Sequence, residues 1–301
     1  MAGKILVVGS LHLDVIVHSS RLPKPDETLL GDKVSYRFGG KGGNQAVAAA
    51  KIDVQVFMAG RIGTDNFGKQ IYDTLSNQNI NLDGLKMVDE ATGMSVALIG
   101  SDGIYSAVVV SGANQTIDLS EIAVPDDLTV LVLQNEINTD ANFEIIKKVP
   151  KSTFIILNAA PALTPNKDFF ERIDLLVVNQ LEAKMLLNEE PNIFNNLDAL
   201  RKLQNLGPKE VIITMGADGY TGISKNGEIF SEPGIKVDVL STHGAGDSFV
   251  GTLAAFICKG EPINIAAQYA QASSALHVKT PIDQREKILQ ADIENMFSLN
   301  Q

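Results

Sequence analysis

Cysteine is nearly missing from this 301-residue chain, in which Cys258 stands alone. An internal disulfide is thereby excluded, and the usage fits a reducing cytoplasm, the expected location. Cys258 falls within a helical pattern, where a small, buried, apolar side chain is the expected role. Basic charge is also scarce, with 25 Lys+Arg against 36 Asp+Glu. Nucleic acid, whose binding is driven by clustered cations, is therefore not an expected partner. No apolar run approaches the roughly 20 residues of a membrane-spanning helix, so no membrane partner is expected either. The start, Met1-Ala2-Gly3-Lys4, leads into a short apolar run, Ile5 to Val8, with no cleavage pattern behind it. No signal peptide is read there. Cys-x-x-Cys, His-Glu-x-x-His, the Walker pattern Gly-x-x-x-x-Gly-Lys-Ser/Thr and the fingerprint Gly-x-Gly-x-x-Gly are all missing. Their absence turns the reading away from a dense metal cluster, a P-loop and a Rossmann oxidoreductase.

What is present is a 45% hydrophobic chain able to bury a sizeable core. Lys4 to Gly9 reads as a buried first strand ending in glycine. Apolar strands at 54–59, 129–133, 153–157, 174–178 and 210–214 alternate with helical patterns at 42–51, 65–78 and 139–148. A hairpin follows around Asn226-Gly227, then helical segments at roughly 245–259, 263–278 and 284–298. This rhythm predicts a doubly wound α/β fold, a mostly parallel sheet with helices on both faces. Two stretches break it, at about 14–38 and 93–110. Both alternate apolar and polar residues between turns, the second around Ser101-Asp102-Gly103, and so predict a small separate β-sheet. Inserted into the α/β pattern, that sheet reads as a lid over a cleft, with 1–301 forming one domain.

The most informative segment is Ser241-Thr242-His243-Gly244-Ala245-Gly246-Asp247-Ser248-Phe249. Glycines and alanine leave bare amides before an apolar stripe at helical spacing: Phe249, Leu253, Phe256 and Ile257. A helix beginning so offers unpaired N–H groups and its positive end to an anion. Asp247, in the first turn, is placed to accept a proton beside that cradle, the combination that phosphoryl transfer to a hydroxyl needs. A second glycine-rich segment, Phe38-Gly39-Gly40-Lys41-Gly42-Gly43-Asn44-Gln45-Ala46, lets backbone approach a ligand, with Lys41 and Asn44 adding polar contacts. Asp14 is either a turn or cap residue or a carboxylate accepting from two neighbouring sugar hydroxyls. Gln134-Asn135-Glu136 and Asn179-Gln180-Leu181-Glu182 end strands, where open α/β sheets place ligand groups. Thr214-Met215-Gly216-Ala217-Asp218-Gly219 is a turn whose glycines face a nucleotide or merely make the bend.

Together these signatures make the chain resemble the ribokinase-like (phosphofructokinase-B type) family of carbohydrate and nucleoside kinases, on its ribokinase branch. The resemblance covers nearly the whole chain. It implies a doubly wound α/β domain, a β-sheet lid that often serves as a dimer clasp, and ATP-dependent phosphorylation of a hydroxymethyl group on a small sugar. Asp247 then matches the catalytic base, and Gly244, Ala245 and Gly246 match the anion hole. Asp14, Gly40, Lys41, Asn44 and Glu136 match sugar-binding positions. Asn179 and Glu182 match the motif that organises Mg²⁺, through water, and phosphate; Thr214, Gly216 and Gly219 match the nucleotide side. Three departures stand out. Ser241 replaces an aspartate that in ribokinases helps bind an activating monovalent cation, and the loop at 277–283 is short where that site has its other half. Weak or absent K⁺ activation is therefore expected. His12 replaces an asparagine beside the substrate; it is either structural or shifts sugar preference. The rival readings are a nucleoside kinase, with Tyr36 and Tyr105 as lid aromatics, and a catalytically silent sugar-binding regulator.

Overall fold

The computed structural model describes residues 3–101, 104–164, 166–189 and 195–300; at Tyr105 only the backbone is described. The expected turn at Asp102-Gly103 lies outside the described residues. Nine strands form the main sheet: β1 (Lys4–Val8), β4 (Gln55–Gly63), β5 (Ile80–Val88), β8 (Leu128–Gln134), β9 (Phe154–Asn158), β10 (Leu175–Asn179), β11 (Glu210–Thr214), β12 (Tyr220–Ile223) and β13 (Ile229–Glu232). Their spatial order is β13-β12-β11-β10-β9-β8-β1-β4-β5. All neighbours from β11 to β5 run parallel; β12 and β13 add an antiparallel hairpin at one edge. A second sheet, of order β3-β2-β6-β7, joins β2 (His12–Ser19), β3 (Gly31–Gly39), β6 (Met94–Gly100) and β7 (Tyr105–Val110). Both strand-rich stretches of the sequence thus meet in one small sheet.

Period-two alternation explains why helices cover both faces. In β1, Ile5 and Val7 join one core cluster while Leu6 and Val8 join the other. Each such side chain, fully buried, contributes about 1.5–3 kcal/mol. On the first face pack α1 (Lys41–Ala50), α2 (Asn66–Ser76), α7 (Ala245–Cys258), α8 (Ile263–Lys279) and α9 (Gln290–Ser298). On the other lie α3 (Thr139–Lys148), α4 (Lys167–Phe170), α5 (Gln180–Leu187) and α6 (Asn196–Gln204). Cys258 is buried, and desolvation pushes its thiol up to about 11, so it is a protonated core side chain.

The sequence reading needs three corrections. β5 has no counterpart in it; this edge strand is mostly half-buried or exposed and interrupted by Asn81, Asp83 and Gly84, so it carries no clear apolar signal. Helices α4, α5 and α6 have none either. The last helix starts later than 284: Ile282–Lys287 is a 3-10 turn, and α9 begins at Gln290 after extended Leu289.

The main sheet changes direction between β1 and β8, because β4 and β5 continue on one side and β8 to β13 on the other. At such a switch point the loops leaving adjacent strands diverge and open a crevice. Gly9 and Ser10 leave β1 there, and Asn135 and Glu136 leave β8.

Candidate active site

Two glycines with left-handed backbone shape this crevice. Gly40, at φ 89°, precedes α1, and any Cβ there would sit 2.7 Å from the Ser10 carbonyl, Leu11 Cα and the His12 amide. The close approach lets Gly43 N–H donate to Ser10 O at 3.0 Å and puts Lys41 N–H on Glu136 Oε2 at 3.0 Å. Ser10 Oγ donates to the same carboxylate oxygen. Gly244, at φ 76° and ψ 6°, precedes α7 in the same way. Ala245 N–H turns back to Thr242 O at 3.1 Å, and Ser248 N–H makes the first helical bond, to Gly244 O. The amides of Gly246 and Asp247 have no acceptor among the described residues, and the space around Gly246 is open.

Asp247 is the third residue of α7 and is buried. Asn44 Nδ2 donates to Oδ2 at 3.1 Å and Gln45 Nε2 to Oδ1 at 3.0 Å. Desolvation is the largest influence and raises its pKa above the ordinary carboxylate range, although the Lys41 charge and both amide donors pull the other way. Burial alone would lower the Lys41 pKa, but Asp247, Glu136 and Glu182 together outweigh it, and the ammonium is held charged. The site is therefore one cation ringed by three carboxylates. Gln45, wholly buried, also donates to Asn158 Oδ1 and accepts from Gln134 Nε2, so a line of amides across β8 and β9 fixes its fork.

The small sheet delivers Asp14, whose Oδ1 accepts from Ser95 Oγ on the neighbouring strand β6. Asp14 Oδ2 lies 3.2 Å from His243 Nε2, of the loop before α7. Burial would raise the Asp14 pKa, yet the contacts with His243 and Ser95 bring it below the usual range. His12 is buried, kept neutral chiefly by desolvation, and its Nε2 has no hydrogen-bond partner among the described residues. Asn114 anchors the base of the sheet by bonding both the amide and the carbonyl of Leu11.

Asn179 and Glu182 form a reciprocal capping box at the start of α5, with both bonds at 2.8 Å. Burial raises the Glu182 pKa most, and nearby Asp247 adds to it. These two residues, Lys41, Thr214 and the start of α7 line a cavity of about 210 Å³. It adjoins a larger one of about 420 Å³, walled by Thr214, Gly216, Gly219, Tyr220, Phe249 and Val278 among others. Thr214, Thr242, Ala245 and Gly246 border both.

The site residues expected from the sequence lie around one crevice: Asp14, His12, Gly40, Lys41, Asn44, Glu136 and Asp247 toward the small sheet, Asn179, Glu182, Thr214, Gly216 and Gly219 toward the hairpin edge, and Gly244, Ala245 and Gly246 between them. Sequence reasoning passed over Gln45, Gln134, Asn158, Ser95, His243 and Arg285. Gln45 follows Asn44 within the glycine-rich segment, Gln134 precedes Glu136 and His243 precedes Gly244, so these three adjoined recognised signals; Ser95, Asn158 and Arg285 are joined to the site only by the fold.

A known family model, that of the pfkB family carbohydrate kinases, matches residues 2–287. The chain belongs to this family. It is 32% identical over 292 residues to ribokinase of Schizosaccharomyces pombe, covering 91% of this chain and 92% of that one. Deoxyribokinase of Salmonella typhi is 29% identical over 282 residues, with 91% and 92% covered. The solved structure of Arabidopsis thaliana ribokinase complexed with ribose and ATP superposes at a TM-score of 0.89 with 29% identity, covering 99% of each chain. The chain is an ATP-dependent carbohydrate kinase with the ribokinase-like fold. The silent-regulator reading is not retained. Among the described residues no helix is long and apolar enough to cross a membrane.

Proposed function

We propose that this kinase transfers the γ-phosphoryl group of ATP to the hydroxymethyl oxygen of ribose, with Asp247 as the base. The observation that carries the reading is the carboxylate of Asp247, buried in the first turn of α7 one residue after an open amide and aimed by two donors. Asp247 takes the acceptor proton as the hydroxyl oxygen attacks. Gly244 lets the chain turn so that the amides of Gly246 and Asp247 face the transferring group; a preorganised donor of this kind is worth about 3 kcal/mol. Ala245 shapes the same turn. On the acceptor side Asp14 accepts from a pair of sugar hydroxyls in place of the His243 contact, Asn44 and Lys41 donate, Glu136 accepts, Gly40 gives the sugar room, and His12 bounds the pocket. Thr214, Gly216 and Gly219 line the nucleotide side, where the larger cavity takes the base.

Mg²⁺ fits the site. No group of three His, Cys, Asp or Glu side chains suited to a metal exists among the described residues, so phosphates and water would supply most ligands. Glu182 spends one carboxylate oxygen on its helix cap and keeps the other, a hard donor in the phosphate cavity, with Asn179 holding it in place. When bound, the ion neutralises charge on the phosphates. We assign the small sheet the role of a lid and dimer clasp, within one kinase domain, and a cytoplasmic location.

The nucleoside-kinase reading rests on lid aromatics. Tyr36 lies on the face of β3 that meets Phe67 of α2, at 6.1 Å between rings. That face is opposite to the one bearing Asp14, because neighbouring residues along a strand alternate, and Tyr105's side chain lies outside the described residues. Ribose remains favoured. The test is a phosphoacceptor panel with ATP and Mg²⁺. Ribose should lead in kcat/KM, with 2-deoxyribose next; preference for a nucleoside or a hexose would overturn the assignment.

A further inference from the structure

Arg285 sits in the 3-10 turn before α9, only 8% exposed. A buried guanidinium normally meets a carboxylate. Here, among the described residues, it forms no ion pair. Its donors go instead to backbone carbonyls drawn from two segments: Nη2 to Ser241 O at 2.8 Å, Nη1 to His243 O at 2.9 Å, and Nε to Thr280 O at 3.2 Å. Nη1 also meets the Nε2 of His277, at 2.8 Å; burial holds that imidazole neutral. Carbonyl oxygens converging on one positive centre are the surroundings of a hard monovalent cation. In this chain an arginine side chain occupies them.

A monovalent metal ion does not fit beside it. Ser241 supplies no carboxylate at the position where the family resemblance expects one. The adjoining cavity of about 260 Å³ is lined by Arg37, Lys51, His243 and His277, with Glu286 as its carboxylate. Lys51 shows how crowded with cations the place is: burial first, and then Arg285, lower its pKa to about 8. A further cation would face the guanidinium's charge across the same carbonyls that bond it.

The position matters for chemistry because Ser241 and His243 lead directly into Gly244. The amides of Leu240 and Ser241 also bind Val278 O, so the loop is tied to the end of α8 from both sides. We propose that Arg285 is a built-in cation, a positioning residue that holds Ser241–His243 so that the following amides face the transferring phosphate, and that it makes a monovalent metal activator unnecessary. The inference rests on the assignment of the α7 start as the anion hole.

Three measurements test it. Wild-type initial rates in K⁺ and in tetramethylammonium at equal ionic strength should coincide; many-fold stimulation by K⁺ overturns the proposal. Thermal unfolding of the wild type in the same two salts should show no saturable rise of the midpoint with K⁺, the rise that a bound ion would give. This readout stands even if ribose proves to be the wrong acceptor; a rise specific to K⁺ overturns the proposal. Arg285→Ala should lower kcat about 10²-fold, the effect of a small misplacement of the catalytic frame, with little change in the sugar KM. Added guanidinium ion should restore part of that loss, and tetramethylammonium none. An unchanged kcat, or a loss confined to KM, overturns it. Should the alanine variant fail to fold, Arg285→Lys keeps the charge without the fork and should show reduced kcat at unchanged KM; a wild-type kcat there overturns it equally.

Discussion

At the scale of single residues, the chemistry turns on a carboxylate held where its charged form is disfavoured. Asp247 has lost its water, and desolvation raises its pKa; Lys41 and the two amide donors recover part of that loss. A base must be ionised to work, so turnover should fall as pH drops through this pKa. Because the shift is upward, the acid limb of kcat should lie above the ordinary aspartate value of about 3.9. Asp247→Asn keeps the shape and removes the base. Its kcat should fall by about 10²-fold or more while ATP and sugar affinities, read by calorimetry, stay near wild type. Near-normal turnover would remove Asp247 from the mechanism. The sequence made Asp247 legible because helix-start chemistry is local: glycines, a carboxylate, then an apolar stripe. Gln45 and His243 were not legible as contacts. Gln45 meets Asp247 across 202 positions of chain, and His243 reaches Asp14 only because the small sheet folds over the start of α7.

Elements carry a different lesson, because one pattern can serve both a cap and a ligand. Asn179-x-x-Glu182 read as a strand-end site is also a helix start, and the two amide bonds show the capping box formed. Recognising it as such would have revealed α5 in the sequence. The late start of α9 was less accessible: 284–289 have helical composition, and the 3-10 turn found there carries Arg285, whose bonds go to carbonyls outside the turn. At Gly40 local and tertiary demands coincide. Alanine there must adopt φ near 89° and place Cβ 2.7 Å from three backbone atoms, none of which can swing aside as a side-chain tip would. Gly40→Ala should destabilise the fold by about 3 kcal/mol. It should also raise the sugar KM, because α1 would move and take Lys41 N–H from Glu136. Urea unfolding and steady-state kinetics check both effects, and an unshifted midpoint would show that α1 does not need this close approach.

For the whole molecule, the alternation of strands and helices announced the large sheet, and the two interruptions announced the small one. Strand order was not legible, since nothing local says that β1 lies between β4 and β8. That order is what makes the crevice. The small sheet also has a face that the monomer covers only in part, with Phe67 of α2 against Tyr36. One row across all four strands reads Tyr36, Val15, Val96, Val108, all apolar and on the side away from Asp14. Tyr36 and Val108 are 54% and 65% exposed, and Val34 and Val110 extend the patch along the two edge strands. Contiguous apolar surface on open edge strands invites pairing with a like surface. The proposed dimer clasp would place a second copy there, through a two-fold contact in which each copy offers the same row. The wild type should therefore sediment as a dimer. Val108→Asp places like charges in both copies of the row and should give a monomer. Because the same sheet holds Asp14 by Ser95, loss of the partner should raise the sugar KM more than it lowers kcat. A wild type that sediments as a monomer at micromolar concentration would rule out the clasp, and a monomeric Val108→Asp with wild-type KM would show that the sheet holds Asp14 unaided.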